Sequence, residues 1–130
     1  DHYYAAANTA QQAGDSAQST AWLAEAVRLA PNQPRYRADY GMRLASSPDK
    51  TDRRQAIPYL QRATRDFPED YRLGETLVVR YDEAEDSASA RRELRRVIDV
   101  EQDLVDGDDE YGSHDARKYR QRRAHETLAR

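Results

Sequence analysis

Seven carboxylates crowd twelve residues of this 130-residue chain: Asp99, Glu101, Asp103, Asp106, Asp108, Asp109 and Glu110. The alternation of Asp106, Asp108 and Glu110 is the spacing with which a calcium loop presents its oxygen ligands. Such a loop also needs glycine at its sixth position and a carboxylate at its twelfth. Counted from Asp106, those places hold Tyr111 and Arg117, so the stretch reads as a solvated loop and no metal is assigned. Ser113-His114-Asp115 contains the residue types of a nucleophilic triad, but sequence neighbours point in different directions and a triad assembles from separated positions. His125-Glu126 lacks the second histidine of a zinc-binding helix, and His2 stands alone near the start. The chain has no cysteine, hence no disulfide, thiolate ligand or cysteine nucleophile. No group of residues supplies nucleophile, base and oxyanion donor together. The expectation is a non-enzyme with no catalytic residue, no metal and no cofactor.

Two basic clusters have the makings of a phosphate-binding stripe. Arg91, Arg92, Arg95 and Arg96 recur at helical spacing, and Arg117, Lys118, Arg120, Arg122 and Arg123 crowd the end of the chain. The acidic stretch lies between them and can neutralise both. With 21 basic and 24 acidic residues the net charge is −3, which disfavours nucleic acid as a partner. No apolar run approaches the ~18–20 residues that cross a bilayer, so membrane insertion by this segment is not expected. The first residue is Asp1 rather than Met, which reads as a processed or excised segment. Oligomeric state and compartment are left open.

The elements that would position any site follow from composition and period. Hydrophobic content is 38% and charged content 35%, against roughly 45–50% and 25% in ordinary domains. Much of the apolar share is alanine, which suits thin seams between closely packed helices better than a sheet-centred core. Internal spacing points the same way. Ala7 to Gly41 is 41 − 7 = 34, Ala10 to Leu44 is 44 − 10 = 34, and Leu60 to Leu94 is 94 − 60 = 34. Leu44 to Tyr81 and Leu23 to Leu60 are both 37, since 81 − 44 = 37 and 60 − 23 = 37. One 34-residue repeat therefore fits, with three extra residues between Leu44 and Ala56, where Ser46 to Asp52 reads as a loop. Gly14-Asp15 and Glu85-Asp86-Ser87 read as turns within helix pairs, with Asp15 or Ser16 able to cap the next helix. Pro31-Asn32-Gln33-Pro34 and Phe67-Pro68-Glu69-Asp70 read as junctions between pairs. Pro58 is expected in the first turn of a helix beginning near Arg53 to Gln55, where a missing N–H is harmless. Small residues (Ala7, Gly41, Ala56, Ala90) are expected where paired helices nearly touch, with Tyr40, Leu44, Leu60, Leu77, Tyr81 and Leu94 filling the seam.

Residues 1–98 resemble the tetratricopeptide repeat family. The copies read Tyr3, Ala6, Ala7, Ala10, Leu23 and Pro31; then Tyr40, Gly41, Leu44, Ala56, Leu60 and Pro68; then Gly74, Leu77, Val78, Tyr81, Ala90 and Leu94. The resemblance implies an all-α right-handed helical array of three helix–turn–helix pairs (1–33, 34–70, 71–98); beyond it the residues themselves read as an acidic loop at 99–112, marked by Gly107 and Gly112, and a C-terminal capping helix at 113–130. Whether that last helix is a cap or half of a fourth repeat is open. It also implies a concave groove for a protein or peptide segment, lined by the first helices. By position the groove face presents Tyr4, Asn8, Gln11 and Gln12, then Arg35, Ala38, Asp39 and Met42, then Arg72, Glu75, Val79, Asp82 and Glu83. Members that clamp a terminal carboxylate carry lysine and asparagine one turn apart on the first helix. Asn8 matches, but Tyr4 stands at the lysine place, so that clamp is not expected. Residues 66–73 and 119–126 are also similar to stretches of bacterial phage-adsorption protein A-like outer-membrane proteins, whose periplasmic repeats accompany exopolysaccharide secretion. The expectation is a non-catalytic protein-interaction scaffold from a larger bacterial envelope protein involved in secretion or adsorption, leaning to the periplasm or outer membrane. The alternatives are a structural spacer and a nucleic-acid-binding helical repeat.

Overall fold

The computed structural model describes residues 2–107, which form six α-helices and no strand. These are α1 (His2–Gln12), α2 (Ser16–Leu29), α3 (Pro34–Ala45), α4 (Lys50–Asp66), α5 (Tyr71–Glu83) and α6 (Ser87–Gly107). The chain divides into two compact units: Asp1–Phe67, which holds α1 to α4, and Pro68–Arg130, which holds α5 and α6. Within them α1 packs on α2, α3 on α4, α5 on α6, and α2 on α3.

Four aspartates start four of these helices. Asp15 and Asp86 each accept from the backbone N–H three residues on, both at 3.1 Å. Asp49 and Asp70 accept from the N–H two residues on, at 2.8 and 3.2 Å. Each satisfies a donor that the first turn would otherwise leave unpaired. Pro34 occupies the first turn of α3, where it costs no hydrogen bond. The turn from α1 to α2 needs a left-handed residue, and Gly14 supplies it at φ 81°. In the turn from α5 to α6, Glu85 takes that conformation at φ 62°, which costs an L-residue roughly 1–2 kcal/mol.

The seams follow one motif. On each second helix three buried positions recur at spacings of four and three: Ser19, Leu23, Ala26; Ala56, Leu60, Ala63; Ala90, Leu94, Val97. Opposite them in the first unit lie Ala7, Ala38, Gly41 and Leu44, and in the second Leu73, Gly74, Leu77, Val78 and Tyr81, all buried. The backbones approach closely: a Cβ on Gly41 would sit 2.9 Å from the Cβ of Tyr59, and one on Gly74 would sit 2.5 Å from Cγ2 of Val97. Arg37 binds α3 to the end of α4, donating to Asp66 at 3.2 Å and to the Pro31 carbonyl at 2.7 Å.

Three expectations need correction. The helix holding Pro58 starts at Lys50, not near Arg53 to Gln55, so Pro58 lies in its interior. The three extra residues are helical rather than looped: α4 has 17 residues and α2 has 14, and 17 − 14 = 3. Asp49 explains both, because its side chain caps at Thr51 and sets the start before the arginines. Third, the acidic loop drawn from 99 is helix as far as Gly107. Leu94, Val97, Glu101 and Val105 are all buried, and their spacing of three, four and four carries one helical stripe through the acids. The rest of that loop and the expected capping helix lie outside the described residues.

Pro58 offers a test. It cannot donate to the Arg54 carbonyl, and its ring crowds that oxygen, at a cost of about 3 kcal/mol in a helix interior. Alanine regains most of this and loses up to about 1 kcal/mol through a freer unfolded chain. Pro58→Ala is expected to stabilise the chain by about 1–2 kcal/mol, seen as a higher thermal midpoint. An unchanged or lower midpoint would mean that the exposed ring carries packing of its own.

Candidate functional site

The expected groove residues of the first unit belong to α1 and α3, and two of them bind each other. The Tyr4 hydroxyl donates to Oδ2 of Asp39, and its ring stacks on Tyr36 with centroids 4.6 Å apart and planes 22° from parallel. The Asn8 amide donates to the Tyr4 oxygen. Arg35 stands 3.7 Å from Asp39, and its guanidinium lies over the Phe67 ring at 4.3 Å. A continuous chain thus runs from Asn8 through Tyr4 and Asp39 to Arg35, with aromatic rings beneath it. Because Tyr4 and Asp39 satisfy one another, neither is a freely offered groove residue. Tyr36 and Phe67 were not anticipated: Tyr4 and Tyr36 are 32 residues apart (36 − 4 = 32), out of step with the 34-residue period.

Burial against Tyr36 and the first-pair helices raises the Tyr4 pKa, helped by the hydrogen bond to Asp39 and the charge of that carboxylate. Tyr40 is raised too, by burial first and then by Tyr59 and Asp52. Above the ordinary tyrosine value of about 10, the unfolded chain ionises before the folded one. Stability is therefore intact below about pH 10 and falls as pH climbs beyond it. Tyr4→Phe is expected to cost about 1 kcal/mol at neutral pH by removing one hydrogen bond, and to flatten part of the alkaline fall. Urea midpoints from pH 7 to 11 measure both, and an identical alkaline slope in the variant would rule out this role for Tyr4.

The other groove positions separate. Asn8, Gln11 and Gln12 are exposed on α1, Met42 is half-buried on α3, and Ala38 is buried in the seam, so its assignment to the groove face is corrected. Gln11 faces a cleft of about 620 Å3 at the intra-pair turns, shared with Ser16, Thr20, Arg43, Ser47 and Asp52. In the second unit Arg72, Val79 and Asp82 are exposed on α5 and Glu75 is half-buried. Glu83 is held by Arg80 at 3.9 Å. Arg72 leans on Asp70, Nε to Oδ1 at 3.3 Å, and Val79 is 50% exposed.

Of the basic cluster on α6, Arg91, Arg92 and Arg95 are exposed, whereas Arg96 pairs with Glu93. The Ser113-His114-Asp115 and His125-Glu126 stretches and the second basic cluster lie outside the described residues, whereas His2 is exposed on α1 with its ring edge-on to Tyr3. Among the described residues no His, Asp and Glu side chains gather as a metal would require, and no helix is long and apolar enough to cross a membrane.

No family model matches the sequence, and a search of curated proteins finds no match. Solved structures do match. One, described as MamA MSR-1 C2, has a TM-score of 0.67 at 15% identity, over 95% of this chain and 74% of its own. Another, the Sgt2 TPR domain from Aspergillus fumigatus, has a TM-score of 0.63 at 17% identity, over 99% of this chain and 78% of its own. The fold is that of a tetratricopeptide array. At these identities the likeness is one of architecture. Of the expected groove positions, Arg35 on α3 and Arg72, Val79 and Asp82 on α5 are exposed, and Asp39 and Met42 on α3 are half-buried.

Proposed function

We propose that this chain is a non-catalytic scaffold that binds a protein segment along the outward faces of its first helices. The observation that carries the reading is Val79, an apolar side chain half open to water on α5 and flanked by exposed charges of both signs. Packing within the pair uses Leu73, Leu77, Val78 and Tyr81, and among the described residues Arg72, Val79 and Asp82 lie outside that packing, exposed on α5. Residues of this kind, apolar centres rimmed by mixed charge, suit a moderately polar protein interface. The resemblance of residues 66–73 and 119–126 to phage-adsorption proteins supports a finer proposal, a segment of a bacterial envelope protein serving secretion or adsorption. A photo-crosslinking residue at position 79, compared with one at Arg91 on α6, tests the scaffold role in the cells that make the protein. Protein adducts that form at 79 and not at 91 are expected. Equal or absent adducts at both would favour a spacer that only sets distance.

A further inference from the structure

The outward face of α6 carries its charge in two blocks. Arg91, Arg95, Asp99 and Asp103 follow one another at four-residue steps, basic first and acidic second, and all four are exposed. At 3.6 residues per turn they share a stripe about 120° wide, with neighbours about 6 Å apart along the axis. The stripe lies away from Ala90, Leu94, Val97 and Val105, which are buried. Among the described residues none of these four side chains has an ion-pair or hydrogen-bond partner, although the side chains beside them do. Arg92 donates to Ser89 at 3.1 Å, Gln102 donates to Asp106 at 3.0 Å, and Arg96 pairs with Glu93.

The order of the blocks does not serve the helix itself. The helix dipole favours acids towards the N-terminus and bases towards the C-terminus, and an acid set one turn before a base supports a helix better than the reverse. α6 has no acid in its first turn and no base in its last, and its stripe runs from arginine to aspartate. The order does serve a pair of helices. The stripe is symmetric about residue 97 in position and opposite in charge, since 97 − 91 = 6 and 103 − 97 = 6, while 97 − 95 = 2 and 99 − 97 = 2. Turned end for end against a copy of itself, it sets Arg91 opposite Asp103 and Arg95 opposite Asp99, each twice. Such a contact uses one patch on both partners and closes on a two-fold axis.

We propose that the outward face of α6 is a contact surface for a second copy of this chain, with the two α6 helices antiparallel and Arg–Asp pairs joining them across a two-fold axis. Exposed ion pairs contribute little each, so the contact is weak and sensitive to salt. The net charge of −3 pushes two copies apart more strongly as salt falls. Association that tightens at low salt therefore requires local complementarity of this kind. A crosslinking residue at position 91 removes the Arg91–Asp103 pairs, so it is not expected to capture the second copy, and the proposal is independent of the scaffold reading.

Sedimentation velocity of the full chain tests this at about 0.01 M and about 1 M salt, where the Debye length is about 30 Å and about 3 Å. A concentration-dependent monomer–dimer equilibrium is expected at the lower salt and monomer alone at the higher. Arg91→Glu/Arg95→Glu makes the stripe wholly acidic, and Asp99→Lys/Asp103→Lys makes it wholly basic. Each should weaken the dimer about tenfold or more with an unchanged circular-dichroism spectrum. An equimolar mixture of the two should dimerise again, and the fourfold exchange, which inverts both blocks, should dimerise with itself. Where a reversed variant loses its fold, the uncharged Arg95→Gln/Asp99→Asn takes its place and should weaken the dimer about threefold or more. A parent chain that stays monomeric at low salt, a dimer indifferent to salt or to these changes, or a mixture that stays monomeric overturns the proposal.

Discussion

Leu60→Ala is expected to lower stability by about 4 kcal/mol. Leu60 has 0% exposure, and truncating a fully buried leucine costs 2.7–5 kcal/mol according to how far the site can collapse. Collapse is partial here, because the wall opposite is the backbone of α3 at Gly41, with no side chain to swing inward. The lower part of the range therefore applies only if α3 and α4 close together, and the existing close approach of Gly41 to Tyr59 leaves little room for that. With a urea slope of ~2 kcal/mol/M, the midpoint should drop by about 2 M. Leu29→Ala, on a 53% exposed side chain, should stay within about 0.5 kcal/mol and serves as the control. A loss under 1 kcal/mol for Leu60→Ala would mean that the seam is not the core.

Gly41→Val should cost a comparable amount for the opposite reason. Glycine in a helix interior is itself unfavourable by up to about 1 kcal/mol, so valine begins with a gain. The new Cβ would nevertheless sit 2.9 Å from the Tyr59 Cβ and 3.5 Å from the Leu60 backbone nitrogen. Neither atom can rotate away; only the helices can part. Overpacking of this sort costs about 1–3 kcal/mol, occasionally more, and because a rigid Cβ is in the way the net loss is expected near 3 kcal/mol. Combining the two changes is informative. Truncating Leu60 frees the space of its Cδ2, 3.5 Å from the added Cβ, but leaves the Tyr59 clash untouched. The double variant should therefore recover less than about 1 kcal/mol of the summed losses in a double-mutant cycle. Full compensation would show that the side chains of the seam set the helix separation, not the backbones.

Much of this architecture was legible in the sequence because the seam is repetitive. Ser19-Leu23-Ala26, Ala56-Leu60-Ala63 and Ala90-Leu94-Val97 repeat one pattern of sizes, and small residues mark each close approach. Helix limits were legible where proline or glycine forced them, and obscure where only polar residues decide. Lys50 to Arg54 offers no apolar period, so the start of α4 hinged on the side chain of Asp49. The acids beyond Asp99 looked like a loop because charge masked the stripe running through Glu101 to Val105, with Glu101 itself buried. The candidate face was legible only in part. The repeat period placed Arg35 and Met42 at positions that are exposed and half-buried on α3, and Arg72 and Val79 at exposed positions on α5, but it also put the buried Ala38 on the groove face. It could not reveal that Tyr4 and Asp39, on helices of different pairs, consume each other, since that contact depends on how two repeats stack.

The placement of the three added residues at the head of α4 has a consequence for how such chains tolerate change in length. Three residues spliced into the middle of a helix would turn everything downstream by about 300° and swing Leu60 and Ala63 out of phase with the wall they meet. Ahead of Ala56 they leave the phase intact and merely carry the entry point of the helix one turn outward. The head of a second helix is thus a slack joint, where the polypeptide can grow or shrink without disturbing the faces that hold the pair together.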